Sequence, residues 1–127
     1  MFKDAPAFST YSVNDLNAAR RFYNETLGLE VVERDEKGHT LLGLHVADGG
    51  PVMLYRKDDH APASYTVLNF VVRDIEEAVD QLSEKGVRFE QREGAMKTDE
   101  KGIARGAGPL IAWFRDPAGN ILSVVQP

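Results

Sequence analysis

The sequence predicts an α+β fold made of two tandem βαβββ modules, forming a cupped mixed sheet with the helices on the outside. Three observations predict it. First, Val13-Asn14-Asp15-Leu16 and Val72-Arg73-Asp74-Ile75 open two similar segments 59 residues apart. Second, Ala19 is answered by Ala78 at the same step, and Gly28-Leu29 by Gly86-Val87, where the offset closes to 58. A period of this length marks a duplicated supersecondary unit. Third, each copy passes from an extended apolar stretch to an amphipathic one, and then to short apolar runs parted by turn residues.

In order along the chain, Ala7 to Val13 reads as the first strand. Leu16, Ala19, Tyr23 and Leu27 then recur at helical spacing, with Phe22 beside them. Asn14 or Asp15 is suited to cap that helix, because a side-chain oxygen can accept from its free N–H groups. Gly28 suits the left-handed residue that ends it. Strands follow at Leu29–Arg34, Thr40–Val46 and Val52–Arg56, separated by Asp35-Glu36-Lys37-Gly38 and Asp48-Gly49-Gly50-Pro51. The linker Lys57 to Pro62 leads into module two. The modules are expected to span about 5–57 and 64–127 of a single domain.

Module two repeats the plan. Tyr65 to Val72 is the strand, Asp74 the cap, and Ile75, Ala78, Val79 and Leu82 the buried helix face opposite Glu76, Glu77, Asp80, Gln81 and Glu84. Strands are expected at Val87–Arg92, Leu110–Arg115 and Ile121–Val125, the last two joined by the tight turn Asp116-Pro117-Ala118-Gly119-Asn120. The connection from Glu93 to Pro109 is long for a compact domain and contains Gly94, Gly102, Gly106 and Gly108. Such a loop is usually mobile or functional. Residues 96–108 are expected to act as a lid or as a dimer arm.

Composition narrows the classes. The 127 residues suffice for one real core, and 43% hydrophobic with 28% charged residues is an ordinary globular mixture. There is no cysteine, hence no disulfide framework and no thiolate. No apolar run is long enough for a membrane span, and the start lacks an apolar signal core. A net charge of −5 argues against a nucleic-acid partner. A cytoplasmic location is expected. No hydrolytic triad, phosphate loop or nucleotide fingerprint is present.

Three sets of residues carry a family resemblance. They are Val13-x-Asp15-Leu16-x-Ala18-Ala19-x-x-Phe22-Tyr23 with Leu27-Gly28-Leu29, the similar opening of module two, and Asp116-Pro117-x-Gly119-Asn120. On them the chain resembles the vicinal oxygen chelate (glyoxalase/bleomycin resistance/dioxygenase) superfamily along nearly its whole length. The resemblance implies the paired modules, a homodimer, and a cup that in many members holds a metal on histidine and glutamate. The aligned positions are Phe8, Leu54, Val67 and Ser123. A phenyl ring and two aliphatic chains have no lone pair, and a neutral serine hydroxyl is a poor sole ligand. His39 and His45 cannot rebuild a site, being ~20 Å apart if on one strand at roughly 3.3 Å per residue. His60 sits with Asp58 and Asp59 in a linker. No metal and no cofactor are therefore expected.

Alternation along strands selects what lines the cup. With Phe8 and Val67 facing in, Thr10, Ser12, Asn69 and Val71 follow. On the fourth strand Leu54 brings Arg56 with it, on the sixth Arg88, Glu90 and Arg92 share one side, and Ser123 joins Ile121 and Val125 on the last. The expected ligand-binding residues are Thr10, His45, Arg56, Asn69, Glu90 and Trp113. The leading expectation is a metal-free protein that binds a small organic molecule, similar in kind to drug-sequestering members. The alternative is a lyase, isomerase or dioxygenase relative in which Glu90 or His45 serves as general base. A plain protein-interaction module ranks third.

Overall fold

The computed structural model describes residues 1–106 and 108–127. The chain divides into two compact units, Met1–Pro62 and Ala63–Pro127. Each is a four-stranded mixed sheet with one helix, as the repeat predicts.

In the first unit β1 (Ser9–Val13) leads into α1 (Leu16–Arg21), followed by β2 (Glu30–Glu36), β3 (His39–His45) and β4 (Val52–Arg56). The sheet order is β1-β4-β3-β2, with β1 parallel to β4 and the other pairs antiparallel. The Asp15 carboxylate accepts from Ala18 N–H at 3.0 Å, so the cap is Asp15 rather than Asn14. Beyond Arg21 the helix continues as a π-helical turn, Phe22–Thr26, in which Leu27 N–H donates to Phe22 O five residues back. This turn explains why the repeat offset shrinks. Thirteen residues separate Asp15 from Gly28, but twelve separate Asp74 from Gly86. A π turn absorbs one extra residue without changing where a helix begins and ends.

Register decides which side chains share a face. Tyr11 lies beside Leu54, and Leu54 beside Leu42. Leu54 and Leu42, with Val13 and Leu44, are buried, as are Ala19 and Tyr23 of the helix segment, and Tyr11 is half-buried. The Tyr11 and Tyr23 hydroxyls meet at 2.7 Å, and Arg20 pairs with Glu33 of β2, so both contacts lie on the face that bears the helix.

The second unit runs β5 (Thr66–Val71), α2 (Ile75–Glu84), β6 (Ile103–Ala104), β7 (Leu110–Arg115) and β8 (Ile121–Gln126). Its sheet order, β5-β8-β7-β6, repeats the first, with β5 parallel to β8. Asp74 caps α2 by accepting from Glu77 N–H. Gln126 shares a face with Leu122 and Val124, and its side-chain carbonyl accepts from Ile75 N–H at 3.0 Å. That bond sets α2 against the face where Ala112, Phe114, Leu122, Val124, Ile75 and Val79 are all nearly inaccessible. The Asp116 carboxylate organises the β7–β8 turn, accepting from the N–H groups of Ala118 and Asn120 and from the Asn120 amide.

One expected strand is absent. Residues 87–92 make a single ladder bond, Glu90 N–H to Trp113 O at 2.8 Å. Arg92 then turns away, its N–H bonded to Thr98 Oγ1 and its carbonyl accepting from Thr98 N–H. The place beside β7 is taken by β6, with Ile103 opposite Ala112 and Ala104 opposite Ile111. The expected lid is corrected accordingly. Gly102, Ile103, Ala104 and Thr98 are buried in the sheet edge. Lys101 reaches Asp80 and Glu76 of α2, and Arg105 reaches Glu76 and Asp99. Ala107, within the segment assigned to a lid, lies outside the described residues.

Gly102 shows how tightly this edge is built. Its φ is +89°, and a Cβ there would stand 2.7 Å from the Phe89 Cβ and 3.3 Å from Glu90 O. Gly28 has φ +74° with nothing within 4 Å of a would-be Cβ. Replacing Gly28 with alanine should therefore cost only the left-handed strain, ~1 kcal/mol. Gly102→Ala adds a clash to that strain and should cost more than about 2 kcal/mol. Urea unfolding of the two variants checks the order; equal losses would count against this packing of the edge.

Candidate functional site

Each sheet has one face under its helix and one face without. In the second unit, register puts Asn69, Ser123 and Trp113 in a row across β5, β8 and β7. Val71, Ile111, Arg115, Ile121 and Val125 share that face, opposite the one that bears α2. Ala104, Trp113 and Ile121 form a small apolar cluster there, with Ile111 and Met96 packed against it. Met96 thus brings the beginning of the 93–109 connection onto this face.

The polar groups are arranged around Trp113. The Arg92 guanidinium lies 3.9 Å from the centre of the indole ring, a cation–π contact worth ~0.5–1 kcal/mol when partly exposed. Glu90 Oε1 accepts from Arg92 at 3.0 Å, and Glu90 Oε2 accepts from Arg115 Nε–H. Arg115 is also held by Gly119 O at 3.1 Å. The Ser123 hydroxyl, fully buried, donates to the Asn69 amide oxygen. Partial burial opposes ionisation of Glu90, but the hydrogen bonds and charges of Arg115 and Arg92 outweigh it and hold the carboxyl below its ordinary range.

Three of the six residues expected to bind ligand, Asn69, Glu90 and Trp113, are therefore brought to one face. Thr10 and His45 lie on the helix-free face of the first sheet: Thr10 is level with Met53, and His45 shares the parity of Gly43, which is level with Met53 in turn. Both side chains are exposed. Arg56 is a correction. It is level with Val13, on the same face as Leu54, and so on the opposite face from Thr10. There it pairs with Asp58 and borders a surface hollow of about 550 Å³ with Leu16, His39 and Tyr55. Counting parity from Leu54 placed it wrongly, because β4 is turned by one residue and Met53 and Tyr55 occupy the open face. Arg115 was missed. Its signal was available, since it stands two residues from Trp113 on the same strand.

The positions aligned with a metal centre do not suit one. Phe8 precedes β1 and is 66% exposed, Leu54 is in the helix-side core, and Val67 sits at a register irregularity of β5. Ser123 is committed to Asn69. Met53, which takes the place expected of Leu54, offers a thioether, a soft donor unlike the histidine and carboxylate set. Among the described residues no group of three or more histidines and carboxylates is assembled. No helix among them is long and apolar enough to cross a membrane.

The pairing around Glu90 makes stability depend on pH. Its folded pKa lies below the unfolded value of ~4.3. The contribution is therefore complete above that value and is lost as pH falls through the folded pKa. Glu90→Gln should unfold more easily at pH 7 and lose less stability than the parent between pH 5 and ~3. Denaturation at several pH values checks this, and parallel curves for the two proteins would refute it.

The family model for the glyoxalase/bleomycin resistance protein/dioxygenase superfamily matches residues 7–124. No curated protein matches the chain significantly. Among solved structures, a member of that superfamily from Sphaerobacter thermophilus is 26% identical, with a TM-score of 0.74 and 100% of both chains covered. An antibiotic binding protein, TnmS3, from a Streptomyces species is 23% identical, with a TM-score of 0.68 and 98% of each chain covered. A lactoylglutathione lyase from Agrobacterium tumefaciens is 21% identical, with a TM-score of 0.68, 97% of this chain and 93% of that one covered. The last two likenesses are of fold. With its duplicated βαβββ units and a family match over nearly its whole length, the chain belongs to the glyoxalase/bleomycin resistance protein/dioxygenase superfamily.

Proposed function

We propose that the protein binds a small organic molecule, without metal, on the helix-free face of its second sheet. One observation carries this reading: the tryptophan on that face, covered by an arginine–carboxylate network, stands among apolar Ala104, Ile111 and Ile121. A few placed polar groups on an apolar floor are the usual make-up of a small-molecule site. The fold shared with an antibiotic binding protein supports the same class of function. Thr10 and His45, on the open face of the first sheet, and Arg56 at its hollow are secondary candidates for ligand contact. The protein is proposed to work in the cytoplasm as a homodimer.

The catalytic alternative is less well supported. A general base needs a pKa near the working pH. Glu90 is pulled the other way by its two arginines. Its carboxylate is better suited to holding Arg92 and Arg115 in place than to taking a proton.

Trp113 is the only tryptophan in the chain, so selectively excited tryptophan fluorescence reports on this face. A panel of small aromatic compounds should include some that change its emission saturably and raise the melting temperature, since a ligand that binds only the folded state stabilises it by mass action. Purified protein should carry less than about a tenth of an equivalent of nickel, zinc, iron or manganese, and chelator should leave its melting temperature unchanged. Tightly held stoichiometric metal would overturn the metal-free reading. A panel with no saturable change would overturn the binding reading.

A further inference from the structure

The geometry points to an aromatic carboxylate as the chemical class of the ligand, with the Glu90 side chain standing where the ligand's own carboxylate would compete for Arg92 and Arg115. This rests on the binding reading above and deepens it. Two guanidinium groups converge on one carboxylate, so the network keeps a net positive charge, although the chain as a whole carries −5. Each guanidinium has five N–H donors. Glu90 takes one Nη of Arg92 and the Nε of Arg115, and Gly119 O takes one more group of Arg115. Donors remain on both.

The rest of the row is donor-rich as well. Ser123 donates to the Asn69 carbonyl oxygen, and both N–H groups of the exposed Asn69 amide remain to donate to a ligand. A ligand suited to this face therefore brings acceptors and negative charge. Arginine is also the side chain whose planar fork matches a carboxylate in two-point contact. The aromatic part of the proposal follows from Trp113, whose indole has the Arg92 guanidinium carbon 3.9 Å from its ring centre and packs with Ala104 and Ile121. Asn69 and Trp113 stand two strands apart in the register, about 10 Å at roughly 4.8 Å per strand. That is the length of a fused two-ring system with one polar substituent.

Glu90 is the intramolecular competitor. An incoming carboxylate has to share or displace it, so its removal should strengthen anion binding rather than weaken it. A contact residue with no competing role would behave in the opposite way.

The test uses 1-naphthoate and its neutral counterpart 1-naphthamide, titrated against the full chain with Trp113 fluorescence and with calorimetry as a second readout. The acid should bind the parent protein at least about tenfold more tightly than the amide, with the preference shrinking as salt rises. Glu90→Gln should tighten naphthoate about fivefold or more and leave naphthamide nearly unchanged. Arg115→Gln should abolish the preference for the acid. Equal affinities for acid and amide in the parent protein would overturn the carboxylate assignment while leaving the binding reading intact. Weaker naphthoate binding by folded Glu90→Gln would overturn the competitor role. Failure of both probes to bind at millimolar concentration would count against the aromatic class and the proposed site together. The acid–amide comparison in the parent protein decides the assignment even if a variant fails to fold.

Discussion

A four-stranded sheet has two faces, and one helix can cover only one of them. The rest of each module follows from that constraint. Under α2, the side chains of β7 and β8 are almost wholly apolar and nearly inaccessible, because burial of each large apolar group is worth ~1.5–3 kcal/mol and tolerates few polar intrusions. The opposite face is released from that demand and can carry Asn69, Ser123, Trp113 and Arg115. A one-residue change of register would exchange the two sets. The caps and the Asp116-centred turn are therefore parts of the site, although none of them touches it. Asp74 fixes where α2 starts, and Asp116 holds the β7–β8 hairpin in the register that aligns Trp113 with Ser123.

Much of this organisation was legible in the sequence, because it rests on local signals. Asp74 was recognisable as a cap from its place before an amphipathic run, the first cap was narrowed to Asn14 or Asp15, and Val52–Arg56 matches its strand residue for residue. Asn69, a polar residue between Leu68 and Phe70, was recognisable as facing away from the helix by alternation from Val67, whose direction the family resemblance supplied. What was not legible depended on pairing between distant segments. Leu54 lies on the buried face of the sheet rather than the open one because β4 is registered on β1 as Tyr11 against Leu54, and nothing within β4 announces that choice. Arg56 was carried to the wrong face by the same one-residue error. The replacement of residues 87–92 by Ile103–Ala104 was hidden for a similar reason. Both segments alternate plausibly, and the decision lies in Thr98 capturing Arg92 and in Gly102 fitting against Phe89.

The two modules share topology and have diverged on their open faces. In the first, β2 and β3 form an unbroken antiparallel pair from Glu30–His45 to Glu36–His39. In the second, the corresponding edge is a composite: one ladder bond at Glu90, a loop, and then the two residues of β6. An interrupted edge strand gives up hydrogen bonds that a continuous one would keep. The charged links from Lys101 and Arg105 to α2 offset little of that loss, since solvent screens ion pairs as exposed as these. Selection for stability alone would have favoured the continuous form seen in module one.

The geometry around Trp113 gives the break a purpose. A strand continuing past Glu90 would carry Arg92 along β7 to the level of Ile111, the place that Ala104 now holds. Its guanidinium would then be one more solvated group along a sheet edge. Because the chain leaves the ladder after Glu90, Arg92 is free to lie over the indole and to meet the same carboxylate as Arg115. Met96, further along the excursion, closes the apolar side of the cluster. Returning through Thr98 and Ile103, the chain then seals the edge it had vacated. The insertion that makes module two irregular is therefore the same element that assembles its candidate site.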